Sequence, residues 1–101
     1  MTRVLSTKEF DTWEKILPKD YQEQIKDIIR ELKQNYNTGR PLGYPFFREK
    51  KMGKYRLYFL IYADIDTVLL VTISDKKAQQ DTIDNIKSEL DYYKKLIRKN
   101  I

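Results

Sequence analysis

The chain has 101 residues, enough for one domain with a single modest core, and its 41% hydrophobic and 13% aromatic content excludes a disordered polymer. Cysteine and histidine are both absent, which removes disulfides, thiol nucleophiles, thiolate or imidazole metal sites and any Ser-His-Asp triad. With a formal net charge of +5, chemistry is left to Lys, Arg, Tyr and carboxylates.

Thr2-Arg3-Val4-Leu5 is expected to form a short first strand. Ser6-Thr7-Lys8-Glu9 has capping-box spacing, with Ser6 as N-cap and Glu9 three residues on. The helix it opens carries Phe10, Trp13, Ile16 and Leu17 at helical spacing. Pro18 ends that helix and fits the first turn of the next, where its missing N–H is no loss. Tyr21, Ile25, Ile28, Ile29, Leu32 and Tyr36 recur at three- and four-residue steps, giving a strongly amphipathic second helix. Glu23, Lys26, Asp27 and Arg30 form its solvated face, so the pair reads as a helical hairpin.

Residues 37–43 read as a loop by their Asn, Gly and Pro content. Tyr44-Pro45-Phe46-Phe47 leads into a strand ending near Lys51, and Met52-Gly53-Lys54 reverses the chain, since Gly tolerates a positive φ. Residues 55–62, rich in aromatic and branched side chains, suit a central strand. Asp64-Ile65-Asp66 is the next turn and residues 67–74 the next strand, so three antiparallel strands follow one another. A last helix is predicted over residues 78–99, with Ile83, Ile86, Leu90, Tyr93 and Ile97 as its core stripe. Gln79, Gln80 and Asp81 near its start read as capping and solvated residues. The expected class is α+β, with helices on one face of a small antiparallel sheet and the other face partly open. No apolar run approaches bilayer-spanning length and no signal-peptide pattern precedes the first helix, so a cytoplasmic setting without a membrane partner is expected.

The charge is unevenly spread. Residues 1–36 carry seven basic and seven acidic groups, residues 37–77 eight against four, and residues 78–101 five against four. The excess lies on the predicted sheet, where a polyanion would dock. Arg48, Lys50, Lys51, Lys54, Arg56, Lys76 and Lys77 form this cluster. Arg56 is the oddity, an arginine inside the most apolar strand, on one face with Tyr58, Leu60 and Tyr62. It either pairs with a carboxylate or lines an anion site. A two-residue turn at Met52-Gly53 puts Lys51 and Glu49 on its face, whereas a three-residue turn puts Lys50 and Arg48 there. Close cations lower each other's proton affinity, which would make one lysine a usable acid or base. Tyr44, Phe46, Phe47, Tyr55, Tyr58 and Tyr62 offer aromatic faces on which unpaired bases stack. Asp64 and Asp66 are turn residues without a third metal ligand at suitable spacing.

A helical hairpin, then Lys51-Met52-Gly53-Lys54-Tyr55-Arg56-Leu57-Tyr58-Phe59, then Val71-Thr72-Ile73-Ser74-Asp75-Lys76-Lys77 and a terminal helix resembles the RelE/ParE superfamily of type II toxin–antitoxin toxins. The Lys-Lys-x-Gln ending at Gln79 is similar to the HigB-like branch. The resemblance implies a RelE-like fold, an N-terminal helical hairpin packed on a small antiparallel sheet with a C-terminal helix. It further implies a ribosome-dependent mRNA endoribonuclease needing no cofactor or metal, neutralised by a small RelB-like antitoxin. In such enzymes the RNA 2′-hydroxyl attacks the adjacent phosphodiester and leaves a 2′,3′-cyclic phosphate. By position Arg56 matches the strand arginine on the scissile phosphate, and Lys77 the basic residue that stabilises the transition state or leaving group. Lys51 and Lys50 fall where the family carries basic residues on the preceding strand, with Arg48, Lys54, Lys76 and Tyr58 as surrounding RNA contacts. Glu49 stands near a position that is often basic, and Ile83 where many members place tyrosine or histidine. ParE-type relatives share the fold and poison DNA gyrase. That activity, and a non-catalytic nucleic-acid- or partner-binding module, are the alternatives.

Overall fold

The computed structural model describes residues 1–99. Strand β1 (Arg3–Ser6) runs directly into helix α1 (Lys8–Ile16), and the helix is capped one residue later than the capping-box spacing suggests. Thr7 Oγ1 accepts the Phe10 N–H at 3.0 Å and donates to the Val71 carbonyl at 2.6 Å. Ser6 is held in the sheet opposite Leu70, and its hydroxyl donates to Asp11 instead. Pro18 sits just ahead of α2 (Lys19–Gln34), its carbonyl accepting from the Tyr21 and Gln22 N–H groups. Of the expected apolar stripe Ile16 faces solvent, while Phe10 and Leu17 are buried.

The sheet has five strands in the order β1-β5-β4-β3-β2, with β2 at Arg40–Tyr44, β3 at Phe47–Met52, β4 at Tyr55–Tyr62 and β5 at Thr67–Asp75. Two expectations change here. The predicted loop over residues 37–43 contains an edge strand, because Pro41 and Gly43 are tolerated where only one side pairs. Gly39 lets that strand begin close against β3: it has a φ of +82°, and a β-carbon there would lie 2.5 Å from the Glu49 carbonyl oxygen. The sheet is also mixed, since β1 pairs parallel with β5 while the other pairs are antiparallel.

Helices cover both faces, in contrast to the expected half-open sheet. Phe10, Ile25 and Leu32 of the hairpin pack on Met52, Leu57, Phe59, Ile61, Val68, Leu70 and Ile73. The opposite face carries Phe47, Tyr58, Leu60, Leu69 and Val71 beneath α3 (Gln79–Ser88) and α4 (Leu90–Lys99). The unbroken apolar runs of β4 and β5 are what two-sided burial requires. The predicted single terminal helix breaks at Glu89, whose N–H bonds three residues back to Ile86, and the Ile83, Ile86 and Ile97 stripe is core as expected.

Candidate functional site: a cationic hollow on the sheet

The two-residue turn is Gly53-Lys54, one residue later than the expected Met52-Gly53, with Gly53 at φ +57°, and it pairs Met52 with Tyr55 and Lys51 with Arg56. This register sets Lys51 and Glu49 on the Arg56 face and turns Lys50 and Arg48 to the other. Arg56 is 8% exposed. Its Nη1 donates to the carbonyls of Gly53 at 3.1 Å and Tyr55 at 3.0 Å, so the guanidinium is anchored by the turn rather than by an acid. Gly39, Arg40, Glu49, Lys50, Lys51, Arg56, Lys76 and Gln79 line a hollow of about 480 Å³. The cations reach it from β2, β3, β4 and the turn after β5.

Other candidate residues place their charge away from the hollow, Lys50 among them although it contributes to the lining. The Lys50 ammonium pairs with Glu31 on α2, because the hairpin register points it at the helical face. Arg48 is on that side too, its Nε donating to the Pro45 carbonyl at 2.8 Å. Lys54 projects from the turn with its Nζ 5.4 Å from the centre of the Tyr55 ring. Of the neighbouring lysines, Lys76 lines the hollow, while Lys77 is exposed on the turn outside that lining. Tyr58 has no accessible surface and its hydroxyl lies 2.8 Å from Ser74 Oγ, so its ring is closed to a stacking base. Burial pushes the Tyr58 phenol above its ordinary range, with the Ser74 hydrogen bond acting in the opposite direction. Ile83 is buried, so α3 offers no titratable group at that position.

Three polar residues of the hollow, Arg40, Glu49 and Gln79, were not among the expected site residues, although the sequence already put Glu49 on the Arg56 face. Glu49, 5% exposed, pairs with Tyr58 across the sheet. Gln79, the first residue of α3, donates its Nε2–H to the two Glu49 carboxylate oxygens at 2.9 and 3.1 Å. A larger groove of about 840 Å³ between β1 and α4 is lined by Leu5, Leu69, Val71, Tyr92, Ile97 and neighbours, with Lys8 and Glu9 its only charges. The smaller hollow is the one that concentrates charge. Among the described residues, no three His, Cys, Asp or Glu side chains group to hold a metal ion, and no helix is long and apolar enough to cross a membrane.

No protein-family model matches the chain, and no curated protein matches it. Solved structures do. The isolated RelE toxin of E. coli is similar over 85% of this chain and 99% of its own, at 14% identity and a TM-score of 0.67. A chain of the RelB-RelE antitoxin-toxin complex from Methanococcus jannaschii is 25% identical over 77% of this chain and 96% of its own, with a TM-score of 0.60. A chain of the archaeal RelE-RelB complex from Pyrococcus horikoshii is 13% identical over 74% of this chain and 94% of its own, with a TM-score of 0.65. Near-complete coverage of these neighbours gives the chain the RelE fold.

Proposed function

We propose that the chain is the toxin of a type II toxin–antitoxin system, an endoribonuclease that cuts mRNA on the ribosome and is neutralised by a RelB-like antitoxin. The observation that carries this reading is the hollow, with Arg40, Lys51, Arg56 and Lys76 around one concavity on a fold shared with RelE toxins. A phosphodiester under attack gathers charge on its non-bridging oxygens, and cations fixed in advance stabilise that charge more than the ground state. Arg56 suits those oxygens. Its Nη1 is held by the turn, and its remaining N–H donors present the planar fork that phosphate recognition uses.

Attack of the 2′-oxygen forms one phosphorus–oxygen bond and breaks the bond to the 5′-oxygen. The products are a 2′,3′-cyclic phosphate and a 5′-hydroxyl, so the balance needs neither water nor a metal. Lys51, beside Arg56, is a proton-transfer group, and Lys76 neutralises the leaving 5′-oxygen. Lys77, on the adjoining exposed turn, contacts the RNA strand outside the hollow. That RelE neighbours are found with RelB supports the antitoxin partner.

Induction in a bacterial culture followed by primer extension on cellular mRNA tests the reading. Expected are growth arrest and new 5′ ends within translated frames, lost when ribosomes are withheld in a purified reaction. DNA damage with intact mRNA would refute it in favour of gyrase poisoning. Harmless expression with intact mRNA would refute it in favour of a binding module.

A further inference from the structure

We propose that Glu49 is the proton acceptor of the cleavage reaction and that Gln79 is the residue positioning it. This rests on the nuclease reading above. Of the side chains lining the hollow, Glu49 is the only acid. Lysine and arginine are cations at neutral pH and must lose a proton before they accept one, whereas a carboxylate accepts at once. The register places Glu49 two residues before Lys51 on β3, on the face that also carries Arg56.

Its surroundings are those of a working base rather than of an ion pair. Among the described residues, no lysine or arginine nitrogen lies within 4.0 Å of the Glu49 carboxylate. A buried carboxylate kept for stability alone is normally paired, because an unpaired buried charge is costly. Here Arg40, Lys51, Arg56 and Lys76 share the hollow without touching it. Its one side-chain donor is the Gln79 amide nitrogen, which reaches both oxygens and leaves most of the roughly four lone-pair positions of a carboxylate free.

Gln79 is well placed to fix that orientation. It is the first residue of α3, its N–H bonds to the Lys76 carbonyl at 3.3 Å, and the helix is tied down by buried Ile83 and Ile86. An amide does not titrate, so Gln79 stays a donor to the Glu49 carboxylate without a proton of its own to exchange. In the reaction the Glu49 carboxylate takes the 2′-hydroxyl proton as the 2′-oxygen bonds to phosphorus. The bond to the 5′-oxygen breaks, and that oxygen takes a proton from a lysine ammonium, Lys51 or Lys76. Water then returns the proton from Glu49 to the lysine, leaving no net change in the enzyme.

The test is single-turnover cleavage of ribosome-bound mRNA across pH by the wild type, E49Q, E49D, Q79A, K51A and K76A, with circular dichroism and ribosome binding as checks of folding. A second substrate carries sulfur in place of the leaving 5′-oxygen. The wild-type rate should climb with unit slope on the acid side of neutrality and then level. E49Q should lose about 10²–10⁴-fold and the acid limb with it, the range that acid–base catalysis supplies. E49D should keep the limb at a lower rate, and Q79A should keep the limb while losing roughly 10-fold to 10²-fold, as misplacement of a reacting group does. Sulfur leaves without protonation, so the thio substrate should rescue whichever of K51A and K76A lacks the proton donor but not E49Q. An E49Q that cuts at the wild-type rate, keeps the limb or is rescued by sulfur overturns the proposal. Should E49Q fail to fold, the wild type alone decides, since a limb on the alkaline side, where lysines titrate, overturns it equally. A wild type that leaves mRNA whole brings down the nuclease reading as well, an outcome distinct from an active wild type with an indifferent E49Q.

Discussion

Replacing Arg56 with alanine separates the two jobs of its guanidinium. Of its five N–H donors, those on Nη1 hold the Gly53 and Tyr55 carbonyls, and the proposed function assigns those on Nη2 and Nε to RNA. Loss of a positioned donor set from a developing oxyanion costs about 10²–10³ in rate. Loss of the carbonyl contacts costs about 1 kcal/mol, the net value of a typical intramolecular hydrogen bond. For a domain of this size that is about 4–8 °C in Tm. Arg56→Lys should fall between wild type and alanine, since it keeps the charge and loses the fork. Single-turnover cleavage well below the melting temperature of each variant isolates the first effect, and calorimetry gives the second. An R56A protein that melts lower but cuts within a few-fold of wild type would refute the assignment and leave Arg56 a turn brace.

Lys50→Ala should lower stability by at most about 1 kcal/mol, the scale of a partly exposed ion pair, and leave mRNA cleavage unchanged, because its partner is Glu31 on α2. Tyr58→Phe should cost about 0.5–1.5 kcal/mol in a denaturant titration through the lost Ser74 contact and leave RNA affinity intact. Gly39→Ala should destabilise by about 1–2 kcal/mol from the left-handed backbone alone, with a further cost from the close Glu49 carbonyl, read as a drop in Tm. Burial, reinforced by Tyr93 and opposed by Arg98, pushes the Tyr62 phenol from 10.0 up to about 12. The unfolded chain gives up that proton first, so the folded state holds more protons in this window and its stability falls as pH rises through it. Denaturant titrations at about pH 9 and about pH 11 should show the loss, and Tyr62→Phe should lessen it.

The sequence carried the strongly periodic and apolar elements. Residues 55–62 and 67–74 are strands where their branched and aromatic runs predict them, the second running on to Asp75, and Gly53 turns the chain between Met52 and Tyr55. The edge strand over Arg40–Tyr44 was hidden because its Gly and Pro residues carry loop signals, and only pairing with β3 overrides them. Coverage of both sheet faces was present as a signal in the continuous apolar runs, although hairpin topology suggested a single covered face. Nothing local marks the break at Glu89. At the site, alternation along β3 and β4 was enough to group Lys51, Glu49 and Arg56 once the turn length was known. The partner of Glu49 was not legible, because Gln79 lies 30 residues away and meets it only where α3 docks on the sheet.

That separation orders the assembly of the hollow. Lys51 and Arg56 face each other across a tight local hairpin, which closes on its own short segment of chain. The carboxylate–amide contact waits for the crossing to β5 and for the helix that follows it. A polypeptide that has emerged only as far as β4 therefore holds the segments that bring Lys51 and Arg56 together but not yet Gln79, so the paired cations precede the oriented carboxylate.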